Sequence, residues 1–100
     1  MDVRTSLLLE NVAGNASEDA AVRIAAINQL DPSHHRSKFV LENVTGNASE
    51  NPDVRMAAIR RLNPSLHRSR FVLQNVAGNA SEDPDVRMAA IRRLGDAADR

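Results

Sequence analysis

One unit is written three times in this chain. Val40–Leu62 reads VLENVTGNASENPDVRMAAIRRL, and Val72–Leu94, 32 positions on (72 − 40), reads VLQNVAGNASEDPDVRMAAIRRL. Leu8–Leu30, LLENVAGNASEDAAVRIAAINQL, fits the same frame. A fixed period of about 20 to 50 residues marks a solenoid or array: a unit that short cannot bury its apolar face alone and must stack on its neighbours. The 100 residues therefore divide into units 1–32, 33–64 and 65–100 of one repeat domain. About three units are the usual minimum for stability.

Each unit carries two helix signatures. Asp83-Pro84-Asp85 opens the second helix of unit three. The Asp accepts orphan backbone N–H groups, and proline fits the first helical position, where its missing N–H costs nothing. Asn51-Pro52-Asp53 repeats this start, and Asp19-Ala20-Ala21 keeps only the cap. Val86, Ala90 and Leu94 then fall at i, i+4 and i+8, with Ala89 and Ile91 widening the stripe. Asn63-Pro64 and Asp31-Pro32 stop the helix, because a residue before proline is pushed out of the α region. In the first helix of unit three, Ser65 is placed as the cap. Its apolar face is Leu66, Val72, Leu73, Val76 and Ala77, with Phe39 and Phe71 expected to be packed. Gly14, Gly46 and Gly78 are expected in the left-handed position just past the helix end. No segment alternates with a two-residue period, so strands are not expected. The expectation is all-α: an αα-superhelix (a right-handed solenoid) of three helical hairpins, with helices near 3–13, 19–30, 34–45, 52–62, 66–77 and 84–94.

The DPDVRMAAIRRL string of unit three, and NPDVRMAAIRRL of unit two, resemble the second helix of a HEAT repeat. The likeness is to the short bacterial HEAT-like type, where D-P-x-V-R-x-x-A-x-x-x-L opens that helix, and it covers all three units. The resemblance implies a hydrogen-bonded ladder between neighbouring units. That role falls on Arg23, Arg55 and Arg87, with Asp53 and Asp85 as partners; unit one has Ala21 in place of the acid. The residues independently require a partner for Arg55, which projects within the apolar arc between Ile59 and Leu62. A lone buried charge there would cost several kcal/mol. The Val-Ala-Gly-Asn-Ala turn is also similar to the loop of transcription-activator-like DNA-binding repeats, but that family has no place for DPDVR, and its Gly-Gly turn is missing here.

Composition removes several function classes. With 13 basic and 13 acidic residues the net charge is zero, so nothing pulls the whole molecule toward nucleic acid or anionic membrane. There is no Cys, hence neither a disulfide nor a thiolate zinc site. No apolar run approaches the roughly 20 residues that span a bilayer, and MDVRTSLLLENV is not a signal peptide. A cytoplasmic protein without membrane association is the default. His35 and His67 are repeat equivalents on separate units and His34 stands alone, so they are read as surface turn residues. Asn15-Ala16-Ser17, Asn47-Ala48-Ser49, Asn79-Ala80-Ser81 and Asn43-Val44-Thr45 match the glycosylation sequon but are read as turn and capping chemistry. With no Ser/His/Asp grouping, phosphate-cradling loop or metal motif, no enzymatic activity and no cofactor is expected.

What remains is a binding surface. The expected function is a non-enzymatic protein–protein interaction scaffold using a concave face lined by the second helices, exposing Met56, Arg60, Met88 and Arg92. The candidate surface also takes in Arg61, Arg68, Arg70 and Arg93. With His67, these gather where one unit passes to the next, opposite an acidic rim of Glu18, Asp19, Glu50, Asp53, Glu82, Asp83 and Asp85. Compensation of helix dipoles explains much of that pattern. The alternative is a nucleic-acid-binding module on the basic rim; the only aromatics, two Phe, offer no platform for stacked bases. Unit three ends in the same VRMAAIRRL as unit two. Either end-to-end homo-oligomerisation or a longer array is therefore expected, since terminal units need polar outer faces.

Overall fold

The chain is described over residues 2–98 by a computed structural model. It forms six helices: α1 Val3–Gly14, α2 Ala20–Ile27, α3 His35–Gly46, α4 Pro52–Arg61, α5 His67–Gly78 and α6 Pro84–Ala98. Among the described residues all regular structure is helical.

Side-chain oxygens set the starts of α2, α4 and α6, whereas α3 and α5 begin without one. The Asn51 Oδ1 accepts from the Asp53 and Val54 N–H groups at 2.8 and 3.4 Å, and Asp83 does the same for Asp85 and Val86 at 2.8 and 3.3 Å. Asp19 caps α2 through the Ala21 N–H at 3.4 Å. Ser65 is not a cap: its N–H donates to the Asn63 Oδ1 at 2.9 Å, Leu66 takes the N-cap place, and α5 begins without a side-chain cap. The Asp31 Oδ1 accepts from the Ser33 N–H in the same way. These Asx turns reverse the chain between helices.

The glycines do not behave as expected. None has a positive φ; Gly14, Gly46 and Gly78 are the last helical residues. The helix is ended instead by Asn15, Asn47 and Asn79, whose backbones are extended. Their side-chain oxygens accept from the Ser17, Ser49 and Ser81 N–H groups at 2.9, 3.0 and 3.0 Å. An Asx turn thus supplies the reversal for which a left-handed glycine was expected. Two other boundaries differ: α2 ends at Ile27 rather than near residue 30, and α6 continues past Leu94 because Gly95-Asp96 stands where Asn63-Pro64 stops α4.

Each odd-numbered helix packs on the even-numbered one that follows it. Odd packs on odd (α1, α3, α5) and even on even (α2, α4, α6), making two layers. The Cα envelope is 36 × 28 × 16 Å. Its thinnest dimension fits two layers of helices with axes about 8–10 Å apart. The core lies between the layers and is built from small and branched residues. In unit two Val54, Ala58, Ile59 and Leu62 are fully buried, joined by Leu41 and Leu73 from the odd layer.

Candidate functional site

The contacts between units repeat with the sequence, and arginines make most of them. Arg23 lies on α2 and is buried. Its Nε donates to the Ala13 carbonyl at 3.0 Å, one of the α1 carbonyls left without a helical partner. Its two terminal nitrogens donate to the two oxygens of Glu50, in the next unit, at 2.6 Å each. Arg55 repeats the arrangement one unit on. It donates to the Thr45 carbonyl at 3.2 and 2.9 Å, and to both oxygens of Glu82 at 2.7 Å. Such a two-pronged pair between planar groups is the strong form of a charge-assisted bond. It holds the Glu50 and Glu82 carboxyls below the usual carboxylate range, and the Glu50 carboxylate raises Arg23.

The partners are therefore Glu50 and Glu82, not Asp53 and Asp85. All the side-chain bonds of Arg55 go to the Thr45 carbonyl and to Glu82, which leaves none for Asp85 of the next unit or for Asp53. Asp53 and Asp85 are exposed, and their backbone N–H groups take part in capping. The sequence held a signal for the glutamates. Arg23, Arg55 and Arg87 occur in all three units, and so do Glu18, Glu50 and Glu82, whereas Asp53 and Asp85 have only Ala21 as their counterpart in unit one.

Two further contacts recur. The Ser37 hydroxyl donates to Glu10 at 2.8 Å and the Ser69 hydroxyl to Glu42 at 2.7 Å, all four residues being buried. Arg36 and His34 flank Glu10 at 3.9 and 3.8 Å, and Arg68 lies 3.5 Å from Glu42. In the even layer Arg61 donates to the Leu30 carbonyl, and Arg93 donates to the Leu62 carbonyl at 2.8 Å. Two of the eight candidate surface residues, Arg61 and Arg93, are thus engaged within the fold, while the Arg68 side chain stays 72% exposed beside Glu42. Arg60, Arg70 and Arg92 are exposed, Met88 is 44% exposed, and Met56 is half-buried. Arg60 and Arg92 line one shallow hollow together with Ala89, Arg93 and Asp96.

The aromatic residues are where the sequence reading fails. Phe39 and Phe71 are 52% and 57% exposed, with Leu7 at their equivalent position in unit one 36% exposed. The cause is helical geometry. Phe39 and Phe71 precede the buried Leu41 and Leu73 by two positions, which turns them to the far side of α3 and α5. Each lines a groove on the odd layer: Phe39 with Gly14, Val40 and Asn43, and Phe71 with His67, Arg68, Val72 and Asn75. The result is an apolar stripe along the odd layer at the period of the repeat.

The chain matches no protein-family model, no curated protein and no solved structure. Among the described residues no helix is long and apolar enough to cross a membrane.

Proposed function

We propose that this chain is a non-enzymatic protein-interaction scaffold, a short αα solenoid of three HEAT-like hairpins. Its docking surface is the stripe Leu7, Phe39 and Phe71. One observation carries this reading: both aromatic side chains are more than half exposed, one repeat apart, in a chain whose core is filled without them. Aromatic residues bury a large area at low entropic cost and are enriched among the residues that dominate binding energy. α3 and α5, which carry the two rings, pack side by side with axes roughly 8–10 Å apart. That spacing suits a partner presenting apolar side chains two turns apart on a helix, at i and i+7, roughly 10.5 Å. Arg68 borders the Phe71 groove and favours an acidic residue beside those anchors. The face expected from the sequence, with Met56, Arg60, Met88 and Arg92, becomes a secondary surface. The nucleic-acid alternative is weakened, because Arg61 and Arg93 donate to carbonyls within the fold.

The test compares proteins cross-linked to the native chain in its source with those cross-linked to Phe39→Ser/Phe71→Ser and to Arg60→Ala/Arg92→Ala. Exposed positions leave both variants folded, which circular dichroism checks. The proposal expects specific partners to disappear from the Phe variant and remain with the Arg variant. Unchanged capture by the Phe variant would refute it, and salt-sensitive nucleic acid lost only with the Arg variant would favour the alternative.

A further inference from the structure

The joint between units occurs twice, and among the described residues unit one and unit three each carry half of a third copy. On the unit-three side, Arg87 donates to the Ala77 carbonyl at 3.2 and 3.1 Å, yet among the described residues no carboxylate closes its guanidinium as Glu50 closes Arg23 and Glu82 closes Arg55. Ile91 is 52% exposed, whereas its counterparts Ile27 and Ile59 are fully buried. Gly14 and Gly46 each face a valine of the next unit: a Cβ built there would lie 3.8 Å from Val40 and 3.9 Å from Val72. At Gly78 that space is empty among the described residues.

The unit-one side carries the complementary half. Glu18 stands at the repeat position of Glu50 and Glu82, is exposed, and bonds no cation among the described residues. Leu8 stands at the position of Val40 and Val72 and is 61% exposed. Val22 is 47% exposed where Val54 and Val86 are fully buried. The two surfaces match by charge, with Arg87 opposite Glu18, and by shape, with the space over Gly78 opposite Leu8. They also match in apolar area, with Ile91 and Met88 opposite Val22.

We propose that unit three of one copy docks on unit one of a second copy, head to tail, repeating the internal joint with Glu18 of the second copy closing Arg87 of the first. The occupant is a second copy because the internal joints show what this surface accepts, and unit one presents that chemistry. The contact is heterologous, so it does not close on two chains but extends into open oligomers. Loss of translational and rotational freedom makes this junction weaker than the internal ones. One substitution tempers it: Gln74 replaces the buried Glu10 and Glu42, so the third polar contact is neutral. This inference concerns the ends of the stack and does not depend on the Phe39–Phe71 stripe.

Sedimentation velocity on the whole chain tests it, over concentrations spanning the order of 10 μM to 1 mM, where an interface this small would assemble. The weight-average mass of the native chain is expected to rise steadily past that of a dimer. Arg87→Glu and Glu18→Arg are each expected to remain monomeric in that range. An equimolar mixture of the two restores growth, because the two exchanged charges meet at one junction and the native Arg87 and Glu18 meet at the next. Glu18 lies on an exposed turn, so its variant keeps the test informative even if Arg87→Glu is poorly folded. A native chain that stays monomeric, a mass that stops at two chains, or single variants that assemble like the parent would overturn the proposal.

Discussion

Arg55 and Arg87 sit in the identical string VRMAAIRRL, yet their replacement by alanine has unequal costs. The Arg55 side chain is 3% exposed and that of its partner Glu82 is 8% exposed. Removing Arg55 takes away both bonds to Glu82 and both to the Thr45 carbonyl, and leaves a buried carboxylate without its counter-ion. Breaking a buried pair from one side costs about 3–5 kcal/mol. Arg87 donates only to the Ala77 carbonyl, so its removal forfeits about 1 kcal/mol of hydrogen bonding. Both variants lose the same aliphatic stem, so packing is largely common to the pair. In a domain of this size about 1 kcal/mol moves Tm by roughly 4–8 °C. Arg55→Ala is then expected to lower Tm by more than about 10 °C and Arg87→Ala by less than about 8 °C. Urea titration at a concentration where the chain is monomeric gives the two free energies directly. Equal losses, within about 0.5 kcal/mol, would refute the assignment of Arg55 to a closed inter-unit pair and Arg87 to an open one.

Three further outcomes follow from the same contacts. The Glu50 and Glu82 carboxyls are held low by Arg23 and Arg55, so the unfolded chain takes up their protons first. Their contribution is complete above the ordinary carboxylate pKa of about 4.3 and is lost as pH falls through the lower folded values, so urea midpoints should drop on acidification below about pH 4.5. Glu50→Gln/Glu82→Gln should flatten that decline. Thr45→Ala should raise stability by about 1 kcal/mol, because the Thr45 hydroxyl is fully buried with no partner among the described residues. Units one and three already carry alanine there, as Ala13 and Ala77, and a thermal melt below the parent's would contradict this. Gly46→Ala should be neutral or stabilise by up to about 1 kcal/mol, since the helical Gly46 has no positive φ and a Cβ would meet Val72 at an ordinary 3.9 Å. A clear loss of stability would restore the left-handed reading.

Helix starts were readable because they rest on local chemistry. Asp19, Asn51 and Asp83 cap where their spacing places them, with proline after Asn51 and Asp83, whereas Ser65 does not cap α5. The buried face of α4 was readable from its 3.6-residue period. What spans units was harder to read. The carboxylate reached by Arg55 lies 27 positions away, at Glu82, and only the repeat in every unit distinguishes it from Asp85. Phe39 and Phe71 were assigned to the core by residue type, although their offset from Leu41 and Leu73 turns them outward. The helix ends failed for a similar reason: glycine beside asparagine invited a left-handed cap, and the asparagine side chain makes the turn instead.

The joint between units is a guanidinium of one unit closed by the glutamate of the next, and double-mutant cycles on Arg55 test it most directly. Chemical denaturation of Arg55→Ala, Glu82→Gln and their combination gives one coupling energy; Arg55→Ala, Asp53→Ala and their combination gives another. The geometry predicts about 1.5–3 kcal/mol for the first and less than about 0.5 kcal/mol for the second. A negligible coupling to Glu82, or a larger one to Asp53, would contradict the joint as described.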